Sequence, residues 1–235
     1  IFIRIPSYMN RFVKRLIVPN LFDVHTHTQF AAFAEDQDTV IRRALDAGVW
    51  MVNVGTQRDT SRAAVETAAR YPEGVYATVG LHPIHTAQSY HDTQELGATF
   101  SHSQEYENVA SGGFVSRGEE FDYEYYKKLG ENAKVVAIGE CGLDYYRSTN
   151  QEARIKQERA FRAQIGLAQD VKKPLMIHCR NAFDDLIKVL DSCFAIPASR
   201  PSGVIHFFTG TKDDAKALLD LGFSFSFGGV ITFAR

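Results

Sequence analysis

Four histidines and one glutamate stand at the ends of stretches that are patterned as β-strands. His25 and His27 close FDVHTH, Glu140 closes VVAIGE, and His178 and His206 lie in PLMIHC and GVIHFF. Imidazole and carboxylate groups are the ligands that borderline divalent metals take in proteins. Because side chains alternate across a strand, His25 and His27 point to the same side and can reach one metal. A lone strand-end histidine is usually an ordinary polar residue, but the set of five predicts a metal-dependent hydrolase.

The stretches that carry these residues belong to a regular alternation of short apolar runs and longer amphipathic runs. Seven runs are patterned as strands: LFDVHTH, VWMVNVG, VYATVG, VVAIGE, PLMIHC, GVIHFF and FSFSFG. Helices are predicted between them at about residues 38–46, 59–70, 151–171, 182–193 and 212–221. Such alternation predicts a parallel sheet in a barrel or a doubly wound fold. No Gly-rich phosphate-binding motif follows a strand, which removes the usual support for a nucleotide-binding doubly wound sheet.

In a barrel the carboxyl ends of the strands meet at one rim, so the five residues would converge there. The carboxylate of Glu140 can bridge two divalent cations about 3.5–4 Å apart, which would activate a water for a phosphodiester displacement. His25 and His27 would hold one metal and His178 and His206 the other. Asp23 has the parity of the two neighbouring histidines, which favours either a hydrogen bond that supports a ligand or a plain polar contact.

Two further residues are candidates for binding a phosphate group of the substrate. His82 in GLHP ends a strand-like run, and Arg180 follows His178 by two residues in HCR. Arginine binds phosphate with two parallel hydrogen bonds, and a histidine can donate one. The alternative for Arg180 is a salt bridge at the rim. The formal net charge of the chain is −2, so DNA would be bound through local phosphate contacts and not through a global basic patch.

The length of 235 residues, with 45% hydrophobic and 23% charged residues, predicts one large domain. Residues 1–20 form a basic and apolar extension that is too interrupted to span a bilayer, so no stable membrane association is expected. A polar insertion at about residues 84–120 is expected to form a loop over the active face. The three cysteines are expected to be reduced, which favours the cytoplasm. Nothing in the sequence indicates an obligate protein partner.

Five motifs in this order resemble the TatD family of metal-dependent deoxyribonucleases, in the amidohydrolase superfamily of TIM barrels. They are FDVHTH, VGLHP, AIGECGLDYYR, PLMIHCR and GVIHFFTG. The resemblance implies a (β/α)8-type barrel over residues 21–235 and cleavage of DNA with two divalent ions, Mg, Mn or Zn. It also implies the ligand set given above, with Glu140 as the bridging catalytic carboxylate and phosphate contacts from His82 and Arg180.

One motif of the family is not found in the sequence, an aspartate at the last strand. The nearest acidic residue is Asp144, which is predicted to lie in a loop four residues after Glu140. We therefore expect a barrel truncated before its eighth strand, a gene that continues for roughly 50–80 residues, and a marginally stable chain. Two alternatives stay open: a small-molecule amidohydrolase of the same fold, and a truncated copy that binds metal without turnover.

Overall fold

Seven parallel strands form the central sheet of the computed structural model, which describes residues 19–91, 106–108, 114–116, 118–146, 150–194 and 203–232. The strands are β1 (Leu21–Thr26), β2 (Val49–Val54), β3 (Val75–Val79), β7 (Val135–Asp144), β8 (Leu175–Arg180), β9 (Gly203–His206) and β10 (Phe223–Phe225). They are hydrogen-bonded in this order. The sequence-based prediction of a parallel α/β sheet of barrel type is confirmed, and all seven predicted strand segments are present.

Six α-helices accompany the sheet in the described residues. They are α1 (Gln37–Asp46), α2 (Arg58–Ala69), α3 (Tyr123–Gly130), α4 (Gln151–Val171), α5 (Phe183–Cys193) and α6 (Lys212–Asp220). Five of them coincide with the predicted helices to within a residue or two at either end. Helix α3 was not predicted, because it follows the polar segment that had been expected to form only a loop. None of these helices is both long enough and apolar enough to cross a membrane.

The segment predicted as a loop contains three short strands, which is a correction to the sequence-based prediction. Strands β4 (Ser89–His91), β5 (Tyr106–Asn108) and β6 (Phe114–Ser116) form a separate antiparallel sheet in the order β4, β6, β5. Polar and glycine-rich composition therefore did not exclude short strands, which need only backbone pairing. Residues 92–105, 109–113 and 117 of this insertion, like most of the predicted extension at residues 1–20, lie outside the described residues.

The central sheet is strongly curled, as the distance between two side chains on remote strands shows. Strands β1 and β9 are separated by β2, β3, β7 and β8, so in a flat sheet they would lie about 24 Å apart. Yet the rings of His25 on β1 and His206 on β9 are stacked with centroids 3.4 Å apart. The sheet therefore bends through most of a barrel, and its concave rim brings side chains from distant strands together.

Helix α4 ties the curled sheet together through its buried face. Asn150 caps its start by accepting a hydrogen bond from the Ala153 N–H at 2.8 Å. The apolar stripe that includes Phe161 and Ile165 is fully buried against the sheet, in agreement with the predicted periodicity. Burial of this stripe contributes the hydrophobic part of the contact between α4 and β7.

Two glutamines on the same helix face hold the ends of two strands. The Gln164 side chain accepts from the Leu81 N–H at 2.8 Å and donates to the Leu81 carbonyl at 3.0 Å. The Gln157 side chain binds Asp144 in the same way, at 2.9 and 3.1 Å. Both glutamines are buried, and strand ends leave backbone groups without a strand partner. These amides therefore fix the loop after β3 and the end of β7.

Gly142 provides a test of how closely β7 and β8 approach. Its φ is +135°, and a Cβ added there would lie 2.0 Å from the carbonyl oxygen of His178. We expect Gly142→Ala to lower the free energy of unfolding by at least about 2 kcal/mol, because both the backbone angle and the contact must change. Urea unfolding of the metal-free protein measures the effect.

Gly166 in α4 is the matched control, because nothing lies within 4 Å of the Cβ that would be added there. Gly166→Ala should raise the free energy of unfolding by about 0.5–1 kcal/mol, as expected for alanine in a helix interior. Equal stability of the two alanine variants would contradict the close approach of β7 to β8.

Candidate metal centre

The carboxyl ends of the strands and the loops directly after them place seven histidine and acidic side chains in one cluster, and His27, which directly follows β1, is one of them. His25 lies near the end of β1, Glu140 and Asp144 lie in the second half of β7, and His178 and His206 lie in β8 and β9. His178 and His206 are register partners on adjacent strands, and Gly142 of β7 pairs with His178 from the other side. His82 joins the cluster from the loop after β3, whose conformation is fixed by Gln164.

Glu140 stands at the centre of the cluster and is only 4% exposed. Its Oε2 lies 3.3 Å from His25 Nε2, whereas its Oε1 lies 3.0 Å from His178 Nδ1 and 3.5 Å from His82 Nε2. Burial by itself would raise the pKa of this carboxyl, but His25, His82 and His178 together hold it well below its usual range. Glu140 is therefore a carboxylate whose two oxygens face two different sets of imidazoles.

On the Oε2 side, two imidazole nitrogens face each other beside the carboxylate. His27 Nδ1 donates a hydrogen bond to the carbonyl oxygen of Val54 at 3.0 Å, so its Nε2 presents a lone pair in the neutral ring. That Nε2 lies 3.1 Å from His25 Nε2. Ligand atoms held at 2.0–2.1 Å by a tetrahedral metal lie about 3.3 Å apart. The spacing of the two Nε2 atoms fits two imidazole ligands of a shared cation.

On the Oε1 side, His178 lies between two carboxylates. Its Nδ1 is 3.0 Å from Glu140 Oε1, and its Nε2 is 3.1 Å from Asp144 Oδ2. The His82 ring meets the His178 ring edge to face, with centroids 4.3 Å apart. Asp144 is 2% exposed, so this second carboxylate is as deeply buried as the first.

Burial and charge divide the histidines into two kinds. Burial lowers the pKa of His25 to about 3 and that of His82 to about 4, and it also lowers the pKa of His206. These rings are neutral at physiological pH, which is the form that binds a metal. Burial also opposes the charged form of His178, but hydrogen bonds to Asp144 and Glu140 raise its pKa to about 9.

Two nitrogens in the cluster lack a hydrogen-bond partner in the described part of the chain. They are Nδ1 of His25 and Nδ1 of His206, and both are buried. A buried polar atom without a partner is costly, and its presence calls for a specific reason. A rim built from neutral imidazoles around one carboxylate fits divalent metal ions of the kind that imidazole prefers.

The structure brings together all five side chains that the sequence predicted as ligands, and it groups them differently. Two groups of three have ligand atoms within 4.8 Å of one another: His25, Glu140 and His206, and His82, Glu140 and His178. His206 thus lies with His25 although it was paired with His178 in the prediction. His82, predicted to contact phosphate, lies among the candidate ligands. The individual ligand roles stay predictions.

The other two predicted residues lie at the edge of the cluster. Asp23 Oδ1 accepts a hydrogen bond from the backbone N–H of His25 at 3.1 Å, so Asp23 supports the strand that carries the ligands. Arg180 is exposed, and its guanidinium lies over the ring of Tyr146, 3.7 Å from the centroid. A cationic group held flat at the rim is accessible to an anion in solution.

The sequence-based prediction placed Asp144 of the cluster in a loop. The structure corrects this, because Asp144 is the last residue of β7. β7 runs on through Gly142 to Asp144, so Glu140 and Asp144 have the same parity four residues apart. The four-residue spacing of Glu140 and Asp144 is visible in GECGLD. The two glycines of this segment are more typical of a loop, so the continuation of the strand was not predicted. The supporting role of Gln157 could not be predicted, because it depends on which face α4 turns to β7.

Comparisons with known proteins agree with this architecture. The family model of TatD-related DNase matches residues 22–235. The 3′-5′ ssDNA/RNA exonuclease TatD of Yersinia pseudotuberculosis is 34% identical over 212 residues, which are 89% of this chain and 68% of that protein. The uncharacterized metal-dependent hydrolase YabD of Bacillus subtilis is 32% identical over 214 residues, 91% of this chain and 70% of that protein.

A solved structure shows the same fold. The TatD homologue YJJV from Escherichia coli K12 superimposes with a TM-score of 0.66 and 26% sequence identity. The match covers 93% of this chain and 71% of that one. The overall fold of the chain is therefore shared with a protein of known structure.

The raised pKa of His178 predicts a specific pH dependence of metal binding. Below its pKa of about 9 the metal-free ring carries two protons, so a metal that takes Nδ1 must displace one of them. We expect the apparent affinity for Mn²⁺ to rise by up to about tenfold per pH unit between pH 6.5 and 8.5. His25 and His82, with pKa values of about 3 and 4, contribute nothing in this range.

Isothermal titration calorimetry at pH 7 in buffers of different ionisation enthalpy measures the proton count. About one proton should be released for each metal ion that binds at the Oε1 side of Glu140, where His178 lies. His178→Gln should bind Mn²⁺ more weakly and with a flatter pH profile. A pH-independent affinity of the unmodified protein with no proton release would contradict the prediction.

Proposed function

Because the chain belongs to the TatD-related DNase family, we propose that it is a metal-dependent nuclease that hydrolyses phosphodiester bonds in DNA. The observation that carries the proposal is the position of Glu140. Its two oxygens face separate sets of imidazoles, which is the arrangement that a carboxylate needs to bridge two cations.

His25 and His27 would hold one ion together with Glu140 Oε2, and His178 would hold the other together with Oε1. The remaining place on the second ion belongs to His206 or to His82: His206 is the register partner of His178, and His82 lies in its cluster. When bound, such ions supply a nucleophilic water at neutral pH and stabilise the charge on the phosphate oxygens. The imidazole-rich set favours Zn²⁺ over Mn²⁺ or Mg²⁺.

The chain's own residues bind and orient the substrate. The exposed guanidinium of Arg180 stands two residues beyond His178 on β8, so it would bind a phosphate oxygen from the solvent side. Stacking on Tyr146 restricts the plane of the guanidinium before substrate arrives. The relative from Yersinia pseudotuberculosis carries the name of an exonuclease for single-stranded DNA and RNA, so single-stranded DNA is the first substrate to test.

The compartment is proposed to be the cytoplasm. Cys141, Cys179 and Cys193 are all unpaired in the structure. Burial raises the pKa of the Cys141 and Cys179 thiols well above its ordinary value, so both stay protonated and unreactive. Three free thiols are typical of a reducing compartment.

Glu140→Gln tests the proposed bridge. The substitution keeps the side-chain volume and removes the charge, so we expect nuclease activity to fall at least about 100-fold and bound metal to decrease. The melting temperature should change far less than the activity. Activity on a single-stranded oligonucleotide, metal content by mass spectrometry and thermal unfolding are measured together, with small cyclic amides as alternative substrates.

Glu119→Gln is the matched control, because Glu119 is a carboxylate outside the cluster that accepts from the Tyr126 hydroxyl at 2.6 Å. It should leave nuclease activity and metal content near those of the unmodified protein. Glu140→Gln with full nuclease activity, or an unmodified protein that hydrolyses amides and leaves DNA intact, would refute the proposed function.

Arg180→Ala tests the phosphate contact. We expect kcat/KM for single-stranded DNA to fall about tenfold or more while metal content is unchanged, since Arg180 is placed on the substrate and not on the ions. Binding is measured in the Glu140→Gln background to prevent turnover. There, the slope of log Kd against log salt should decrease by about 0.7, the value for one phosphate contact on a single strand.

Arg154→Ala is the control for Arg180→Ala, because Arg154 lies over the neighbouring Tyr145 ring at 4.3 Å in the same kind of contact. In the same Glu140→Gln background, Arg154→Ala should leave the slope of log Kd against log salt unchanged. Loss of metal from the Arg180 variant, combined with normal DNA binding, would assign Arg180 to the support of the metal centre.

A further inference from the structure

We propose that Asp144 is a positioning residue: it accepts the Nε2–H of His178 and thereby leaves Nδ1 as the atom that faces Glu140 and the metal. The inference rests on the proposed function, because it concerns how this chain prepares one of the proposed ligands. It is carried by the arrangement of hydrogen bonds around Asp144, a residue to which the family resemblance gave no role.

Both oxygens of Asp144 are committed to nitrogen donors. Oδ1 accepts the backbone N–H of Tyr146 at 3.0 Å, and Oδ2 lies 3.1 Å from His178 Nε2. A carboxylate has acceptors only, so the hydrogen on the second contact must belong to the imidazole. The pair is buried, with side-chain exposures of 3% for Asp144 and 20% for His178.

The backbone of Asp144 is fixed as firmly as its side chain. The Gln157 amide accepts from the Asp144 N–H and donates to the Asp144 carbonyl. Asp144 also pairs with Arg180 in the ladder between β7 and β8, so its main chain is held by β7, β8 and α4. A rotation of the carboxylate away from His178 would break its contacts with the Tyr146 N–H and with His178 Nε2.

The opposite assignment, with Asp144 at the metal and Glu140 as the hydrogen-bond acceptor, conflicts with the positions of the two carboxylates. Glu140 belongs to both groups of potential ligands found among the described residues, whereas the two oxygens of Asp144 face the backbone N–H of Tyr146 and the Nε2 of His178. The two ring nitrogens of an imidazole point in different directions, so one ring cannot offer the same nitrogen to both carboxylates. A carboxylate behind a ligating histidine fixes its tautomer and its orientation.

Asp144→Asn is the informative variant because it is isosteric. Its single amide oxygen can serve either the Tyr146 N–H or the His178 Nε2–H, and the amide NH₂ then faces the other donor. We expect the affinity for Zn²⁺ to fall about 10- to 100-fold, the usual effect of removing such a partner. Asp185→Asn is the matched control: Asp185 binds Tyr145 and Lys188, so its loss changes charge nearby without affecting His178.

The deciding measurement does not need a variant. In the Zn²⁺-loaded unmodified protein, ¹⁵N-detected correlation spectra of the imidazoles should show His178 protonated at Nε2 and metal-bound at Nδ1. Affinity for Zn²⁺ is then compared by competition with a chelator across the unmodified protein, Asp144→Asn and Asp185→Asn, with thermal unfolding recorded for each.

A His178 ring that is protonated at Nδ1 and metal-bound at Nε2 would overturn the inference. So would an Asp144→Asn variant that folds and binds Zn²⁺ within twofold of the control. These readouts are independent of nuclease activity: a protein that binds Zn²⁺ as expected and leaves DNA intact would refute the proposed function alone.

Discussion

The structure depends on the compensation of one buried negative charge. Glu140 is almost completely enclosed, and an uncompensated carboxylate in such a place would cost several kcal/mol or take up a proton. Its neighbours come from β1, from the loop after β3 and from β8. No flat sheet brings these three places together, so the curvature of the sheet and the charge state of Glu140 are parts of the same arrangement.

Curvature alone does not fix the strand ends, because the loops beyond them leave the sheet. Helix α4 supplies the missing constraint through Gln164 and Gln157, which bind the backbone of Leu81 and Asp144 at both polar groups. Buried amides of this kind are tolerated only when fully paired. The helix that contributes most visibly to the hydrophobic core thus also holds His82 and Asp144 in place.

The sequence was sufficient for the seven strands of the central sheet and five of the helices, for the family and for the enzyme class, a hydrolase acting on ester bonds; these predictions are confirmed. It was also sufficient for bringing the five predicted ligands together at the rim, because strand periodicity carries that information. It could not predict how they group, since the stacking of His206 on His25 depends on the closure of the sheet. Asp144 was misplaced because the glycines of GECGLD are typical of a loop, whereas here Gly142 allows β7 to pass close to β8.

Strand β8 carries two residues with different proposed roles, a metal ligand and a phosphate contact. His178 and Arg180 have the same parity and lie about 7 Å apart along the strand, yet one is largely buried and the other exposed. The buried member is surrounded by carboxylates that fix the direction of its nitrogens, and the exposed member rests on Tyr146 with its donors toward solvent. A ligand needs a ring nitrogen held in a fixed direction, whereas a phosphate contact needs a charge that an incoming strand can reach. The two-residue spacing places each group in the environment that its proposed task requires.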